Sequence, residues 1–172
     1  MYPWQALDSV HMPLSPLTVA NYFLSVGNRE SVPITPLKLQ KLVYFAHGWY
    51  MGFTGEPLVN EKIQAWEFGP VIPSLYHEFK EFKNNPISRF AGNFRPADLT
   101  SPEVTAAKSL LDRIWSIYSR YTAAQLSALS HEPNGPWHQM VKQMPDGPAR
   151  VRNMPIPNEM IGNFFKARVQ KN

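Results

Sequence analysis

Apolar residues recur along most of the chain at intervals of three and four, and proline-rich connections separate the segments that contain them. Three prolines come directly after a hydroxyl residue, at Ser15-Pro16, Thr35-Pro36 and Ser101-Pro102. A hydroxyl oxygen can accept a hydrogen bond from a free amide at a helix start, and proline fits the first helical position because it has no N–H group. Thr122 and Gln125 have the spacing of a capping box. The pattern therefore predicts four helix starts.

Helical periodicity extends these starts into helices and identifies others between them. The first helix is expected to end at Gly27-Asn28, because glycine and asparagine often terminate helices. About six helices are predicted, with a further short helix from Trp137. The six cover residues 16–26, 36–52, 72–84, 102–119, 123–131 and 157–171.

Between the second and third predicted helices the periodicity changes from helical to alternating. Gln64, Trp66 and Phe68 alternate with apolar residues of the opposite face, which is typical of a β-strand. The Asn60-Glu61 pair is expected to form the turn before this strand. We therefore predict a short β-hairpin near residues 57–68.

The predicted fold class is mainly α, a single compact helical domain of about six helices with this short hairpin. A chain of 172 residues is long enough for one sizeable core and too short for two independent ones. We expect residues 1–14 to form an N-terminal extension and residues 15–172 to form the domain. The chain has no cysteine, which excludes disulfides, thiol nucleophiles and cysteine-based metal sites and agrees with a reducing compartment.

No apolar run approaches the roughly 18–20 residues that a membrane span needs. The first residues, MYPWQALDSVHMP, contain neither a basic start nor an apolar stretch of signal-peptide length. We therefore expect a cytoplasmic protein with no membrane partner.

The net charge of +4 is unevenly distributed. Residues 1–141 carry 11 basic and 11 acidic groups, whereas residues 142–172 carry six basic groups against two acidic ones. Such a region can contact nucleic acid or an acidic protein, or it can be an ordinary solvated face, and the charge pattern leaves these interpretations open. The six basic residues are Lys142, Arg150, Arg152, Lys166, Arg168 and Lys171.

The second predicted helix is apolar almost all round. On a helical wheel of about 100° per residue, the arc opposite the apolar one carries Leu37, Tyr44, Gly48 and Met51, with Lys41 at its edge, rather than a row of charged residues. Such a helix is either buried between two layers or keeps its second face for a partner. Gly48 inside the helix indicates that another backbone packs closely against it.

The sequence contains no recognisable catalytic or metal-binding pattern. His131 and His138 are seven residues apart across a proline-rich segment, whereas a helical zinc-protease motif needs histidines four apart. His47 and His77 are expected to be ordinary core or surface imidazoles, and Glu67 has the position of a turn carboxylate. We therefore expect no enzyme, no metal and no cofactor, with an enzyme based on Glu67 and His131 as an alternative.

Several motifs occur in a fixed order along the chain. They are TPLKLQKLVY at 35–44, GWY at 48–50, GEPL at 55–58, AWEFGPV at 65–71, and LSH at 129–131 followed by Pro136-Trp137. From about residue 17 to residue 165 the chain resembles the Panacea antitoxin domain family, which includes SocA-like antitoxins and phage-associated proteins. The resemblance implies a mainly helical, non-enzymatic bacterial or phage protein that binds and neutralises a toxin encoded beside it. Some members of that family instead act as adaptors that deliver the toxin to a protease.

The motif residues give the predicted partner-binding site, which consists of Lys38, Gln40, Lys41, Tyr44, Glu67, Gly69, Pro70 and His131. They can equally mark a buried polar network that joins the second helix, the Gly69-Pro70 segment and the His131 loop, because buried polar groups must be hydrogen-bonded. We favour a toxin-binding surface made of the second face of helix two and the Gly69-Pro70 segment, since a proline-fixed turn loses little freedom on binding. The C-terminal helix is expected to close the core through Phe164 or Phe165.

The leading hypothesis is therefore an antitoxin that binds a cognate protein toxin directly. The alternatives are a proteolytic adaptor for the toxin and a nucleic-acid-binding protein that uses the basic C-terminal region.

Overall fold

The computed structural model of the chain describes residues 12–144 and 154–171. Two of the basic C-terminal residues, Arg150 and Arg152, and most of the predicted N-terminal extension lie outside the described residues. No helix within the described ranges is long and apolar enough to cross a membrane. These ranges contain seven α-helices and two short 3-10 helices, at Lys80–Phe82 and Pro96–Thr100. The α-helices are α1 (Pro16–Glu30), α2 (Pro36–Thr54), α3 (Pro73–Phe79), α4 (Pro102–Tyr118), α5 (Ala123–Ser130), α6 (Pro136–Lys142) and α7 (Asn158–Val169).

All four predicted helix starts are confirmed. The side chains of Ser15, Thr35 and Ser101 each accept a hydrogen bond from a main-chain N–H group in the first turn of the helix that follows. Thr122 and Gln125 form the expected capping box at the start of α5. The mainly helical fold class is thereby confirmed.

The end of α1 differs from the prediction. The helix continues through Gly27 and ends at Glu30, where Ser31 adopts a left-handed conformation with φ of 56°. A Cβ atom on Gly27 would lie 2.8 Å from the Ile34 side chain. Gly27 therefore allows close packing inside the helix, and does not terminate it. The third helix is also shorter than predicted, because α3 ends at Phe79 and a 3-10 turn follows.

The hairpin lies further along the chain than predicted. Strand β1 (Gln64–Trp66) pairs antiparallel with β2 (Gly69–Val71), and β3 (Met154–Pro155) pairs with the other edge of β1. The turn predicted at Asn60-Glu61 is wrong, because Val59 and Asn60 instead pair with the backbone of Leu14. The chain reverses at Glu67-Phe68, the hairpin turn, where Gly69 adopts a φ of +107° that other residues rarely tolerate.

Helix α2 runs through the centre of the molecule and contacts α1, α4, α5, α7 and β2. Tyr44 and Met51, on the face opposite its main apolar arc, are as well buried as the core residues. Of the two interpretations of this helix, burial between layers is therefore the observed one.

The C-terminal helix closes the core over α2, as predicted, through Phe165, which is 2% exposed. A Cβ atom on Gly48 would lie 2.2 Å from the Phe165 ring. Gly48 therefore accommodates a side chain, whereas we expected a backbone there. The close backbone approach occurs one turn later at Gly52, where a Cβ atom would lie 2.9 Å from the Phe165 carbonyl carbon.

Candidate functional site

The backbone around the hairpin turn is held by side chains from three different helices. The carbonyl groups at positions 66, 68 and 70 each accept one side-chain hydrogen bond. The donors are, in that order, Trp137 Nε1 from α6 at 2.6 Å, Ser127 Oγ from α5 at 3.1 Å and Lys41 Nζ from α2 at 2.9 Å. Because the donors belong to three separate helices, the turn is fixed to the body of the protein at both ends and in the middle.

Gln40 forms two further hydrogen bonds, both to the main chain of Ile72, the residue after β2. Its side-chain oxygen accepts a hydrogen bond from the Ile72 N–H group at 2.8 Å, and its Nε2 atom donates to the Ile72 carbonyl at 3.0 Å. One amide side chain thus satisfies both polar groups of a buried main-chain residue. The predicted polar network between the second helix and the Gly69-Pro70 segment is therefore present.

Lys41 is completely buried, and no described carboxylate forms an ion pair with it. Burial lowers the pKa of Lys41 to about 7, because a charged ammonium loses its hydration inside the protein. The neutral amine still donates a hydrogen bond to Pro70. The attachment of β2 to α2 therefore does not depend on the charge of the lysine.

Three polar side-chain atoms converge on Gly69 from behind. A Cβ atom at this position would lie 2.8 Å from Lys41 Nζ, 2.8 Å from Ser130 Oγ and 3.0 Å from His131 Nε2. The Nε2 atom of His131 is buried and has no hydrogen-bond partner among the described residues. Burial and then the charge of Lys41 lower the pKa of His131, while the carbonyl of Phe68 acts in the opposite direction. The net effect is to disfavour the protonated imidazole.

This cluster lacks the features of a catalytic site. Ser130 Oγ donates its proton to the Ser127 carbonyl at 2.7 Å, and Lys41 Nζ donates to the Pro70 carbonyl at 2.9 Å. Within the described residues no group of three or more histidine, aspartate or glutamate side chains is arranged to hold a metal ion. The geometry supports the positioning of a turn better than a reaction at these groups.

The outer side of the same turn is open to solvent. Phe68 is 66% exposed, and Glu67 is exposed and forms no ion pair with a described residue. An apolar ring and a carboxylate are therefore presented side by side on a backbone that is held in place. The sequence pattern placed Phe68 in a strand, and its position directly before Gly69-Pro70 is the signal that would have identified it as the tip of a turn.

The predicted site residues divide into two groups in the structure. Gln40, Lys41, Gly69, Pro70 and His131 lie together behind the hairpin turn, and Glu67 lies on its outer side. Lys38 and Tyr44 belong to other parts of the molecule. Ser127 and Ser130 were not predicted as site residues, although Ser130 belongs to the LSH motif at 129–131; no local sequence signal distinguishes Ser127 from other helix serines.

Lys38 and Tyr44 point away from the hairpin turn. Lys38 donates to the carbonyl of Ser119 at the end of α4, at 2.6 Å, and burial lowers its pKa. The Tyr44 ring is 1% exposed and packs against Phe165, and burial raises its pKa. The predicted accessible surface on the second face of α2 is therefore wrong, because α7 covers Tyr44 and the hairpin covers Lys41. A role in partner binding for any of the eight residues stays a prediction.

Comparison with known proteins confirms the family resemblance that the sequence motifs indicate. The profile of the family described as "Antitoxin SocA-like, Panacea domain" matches residues 39–138, which include the whole of the hairpin turn and the donors that hold it. Antitoxin SocA from Caulobacter vibrioides (strain NA1000 / CB15N) is 36% identical over 124 residues, which is 69% of this chain and 66% of that protein. The match thus spans slightly less than two thirds of the relative's length. No solved structure matches the chain. The profile match covers more than half of the chain, which therefore belongs to the Antitoxin SocA-like, Panacea domain family.

Proposed function

We propose that this protein is an antitoxin that binds a cognate protein toxin directly and neutralises it, and that the hairpin turn is the centre of the contact. The observation that carries the proposal is the exposed Phe68 ring on a backbone that Lys41, Ser127 and Trp137 hold from behind. Family membership supports the antitoxin role. We expect the complex to form in the cytoplasm.

A fixed turn with an exposed aromatic ring has the properties of an interface anchor. Large aromatic side chains dominate the energetics of protein interfaces, and full burial of a phenylalanine side chain contributes about 1.5–3 kcal/mol. A backbone that is already fixed loses little conformational freedom on binding, so more of this free energy appears as affinity. Glu67 beside the ring would favour a toxin surface that carries lysine or arginine next to an apolar recess.

Co-expression with the product of the neighbouring open reading frame tests the proposal. We expect this chain to restore the growth of cells that express the neighbouring protein and to co-purify with it. The Phe68→Ala variant is expected to lose both activities and to keep its thermal unfolding midpoint, because the ring contributes little to the core. Met12→Ala is the matched control, since Met12 is also apolar and 63% exposed but lies outside the turn.

Failure of the parent chain to bind and neutralise the neighbouring protein would contradict the proposal. Equal rescue by Phe68→Ala and the parent would remove the hairpin turn from the contact. The lifetime of the toxin separates direct neutralisation from the adaptor alternative. Direct neutralisation leaves the toxin level unchanged during rescue, whereas an adaptor lowers it in a protease-dependent way.

A further inference from the structure

The hairpin turn and the start of β2 lie over two basic side chains, Lys41 and His131, whose inner nitrogen atoms are buried. A Cβ atom on Gly69 would lie 2.8 Å from Lys41 Nζ and 3.0 Å from His131 Nε2. Because both nitrogens lie within 3.0 Å of the same point, they are separated by at most twice that distance. Protonation of both groups would place two like charges close together without water, which is strongly unfavourable.

No charged group in the described part of the chain compensates a proton on Lys41. Burial is the cause of its lowered pKa, and no neighbouring charge raises it. Glu67 in the hairpin turn and His77 on α3 are exposed. Glu132, which follows α5, is paired with Arg168 of α7. Other titratable groups on the helices around Lys41 have bonding or packing partners of their own, namely Lys38 with Ser119, Tyr44 with Phe165, His47 with Asn158, Tyr22 with Asp112, Glu30 with Trp115, and Glu78 with Arg89.

The two bases take up protons in a fixed order as the pH falls. The pKa of Lys41 in the folded chain is about 7, whereas the pKa of His131 lies below its ordinary value of 6.5. When His131 titrates, Lys41 already carries a proton, and this charge is one cause of the lowered pKa of His131. The first proton therefore goes to the amine, and it creates a charge that the surrounding residues do not compensate.

The hairpin turn is the most weakly attached part of the cover over Lys41. The lysine itself belongs to the central helix α2, whereas β1 and β2 have three residues each. Single hydrogen bonds from Ser127 at 3.1 Å and Trp137 at 2.6 Å attach the turn to α5 and α6. The outer side of the turn is already in water, because Phe68 is 66% exposed. Movement of the turn away from α2 would therefore hydrate the amine and break few contacts.

We propose that residues 67–70 form a lid over Lys41 that opens when the lysine takes up a proton. In the closed state the neutral amine donates to the Pro70 carbonyl, and in the open state water hydrates the ammonium group. Gln40 binds both main-chain groups of Ile72 and holds the end of β2 while the lid moves. The inference rests on the proposed function only for its consequence, which is that a toxin bound to the closed lid and a proton on Lys41 oppose each other.

The pH range of the opening follows from the two states of the lysine. The open lid keeps the lysine proton up to the ordinary pKa of 10.5, whereas the closed lid releases it near pH 7. Between these values the ratio of open to closed molecules rises as the pH falls, by about 20-fold from pH 8.5 to pH 6.5. Below pH 7 the contribution of Lys41 reaches its limit. His131 then acts in the same direction, because the closed lid disfavours its proton as well.

Solvent exchange of indole N–H groups in the ¹⁵N-labelled full chain, measured by NMR, tests the lid. Trp137 Nε1 donates to the Trp66 carbonyl beside the turn. Trp49 Nε1 donates to Tyr118 of α4 and is the internal control. After correction for the intrinsic pH dependence of exchange, the protection of Trp137 should fall about 20-fold from pH 8.5 to pH 6.5, and that of Trp49 less than about threefold. Constant protection of Trp137, or an equal fall at both indoles, would overturn the inference.

Two lysine variants identify the group that opens the lid. Lys41→Met removes the titrating amine and should reduce the fall in Trp137 protection to less than about threefold. Lys38→Met is the matched control, because the Lys38 amine of the same helix donates to Ser119, away from the turn, and this variant should keep the full effect. Retention of the full effect in Lys41→Met would contradict the inference. If that variant does not fold, the comparison of the two indoles in the parent chain still decides.

The outcomes for the lid and for the proposed function are distinguishable. If the protection of Trp137 falls as expected and no toxin is neutralised, the proposed function fails and the lid remains. If the toxin is neutralised and the protection of Trp137 does not depend on pH, the inference about the lid fails alone.

Discussion

Two basic side chains of this protein, Arg89 and Lys41, hold neighbouring segments in place with different kinds of partner. Arg89 has a side chain that is 43% exposed, and it pairs with Glu78 at 2.6 Å and with Glu81 at 2.7 Å. Lys41 is completely buried, and its hydrogen bond goes to the main-chain carbonyl of Pro70. The arginine therefore has two charged partners in water, whereas the lysine has a neutral partner inside the protein.

The two attachments contribute differently to the free energy of unfolding. An exposed ion pair contributes about 0–1 kcal/mol to stability, because its charged groups stay in contact with water. A lysine without a carboxylate in the interior opposes folding whenever it is protonated, because its charge has lost its hydration. An apolar residue at position 41 would avoid this cost but would leave the Pro70 carbonyl without its donor. Lys41 thus fixes the position of β2 without adding the stability of an ion pair.

The largest effect that would test this comparison is expected for Gly69→Ala. The new methyl group would meet Lys41 Nζ and Ser130 Oγ at 2.8 Å, and alanine would also adopt an unfavourable φ of +107°. We expect the free energy of unfolding to fall by about 2–4 kcal/mol, measured by urea denaturation.

Gly55→Ala is the control for backbone strain alone. Gly55 also has a positive φ, of +77°, but a Cβ atom there would have no neighbour within 4 Å. We expect a loss of about 1 kcal/mol. Equal losses at the two glycines would mean that the space around Gly69 is not constrained by the lysine and the serine.

The next effect is a change in the pH dependence of stability in Lys41→Met. The unfolded chain holds the lysine proton up to the ordinary pKa of 10.5, whereas the folded chain releases it near pH 7. Between these values the unfolded state binds more protons, so the free energy of unfolding rises with pH, by up to about 1.4 kcal/mol per pH unit. Below pH 7 both states are protonated, and the destabilisation by the buried charge is fully present.

Urea denaturation at pH 6.5 and pH 8.5 measures this change. The parent is expected to gain stability over this interval, and Lys41→Met should be at least as stable as the parent at pH 6.5 and show a smaller gain. Lys38 is unchanged in both proteins, so the difference between them comes from Lys41 and from His131, whose pKa the charge of Lys41 lowers. A parallel gain in the two proteins would show that Lys41 is not the titrating group. Weaker toxin binding by the stable variant is expected, because the Pro70 carbonyl has lost its donor.

The smallest effect is expected for Arg89→Gln. The variant loses contacts to two carboxylates that remain hydrated, so the free energy of unfolding should fall by no more than about 1 kcal/mol. The pKa of Glu78, which the hydrogen bond from Arg89 lowers, should rise towards its ordinary value. High salt should weaken the effect. A loss as large as that of Gly69→Ala would contradict the distinction between the two regions.

Much of the fold could be predicted because its signals are local. A helix cap involves residues within three positions of one another, so Ser15, Thr35, Ser101 and Thr122 identified helix starts without any tertiary information. The apolar periodicity likewise identified the core arc of α2. The boundary at Gly27 was wrong because glycine has two uses, helix termination and close packing, and only the position of Ile34 distinguishes them.

The sequence by itself determined the helical fold class, the family and part of the set of residues around the hairpin turn, without Ser127 and Ser130. The tertiary structure decided which of those residues lie inside and which outside. Lys41 and Pro70 are 29 positions apart, and Trp137 and Trp66 are 71 apart, so no local pattern reports that these groups meet. A motif fixes residue types, but the exposure of a side chain depends on what the rest of the chain places over it. For that reason Lys41 and Tyr44, predicted on a surface, are buried, whereas Phe68, predicted in a strand, is the exposed tip of the turn.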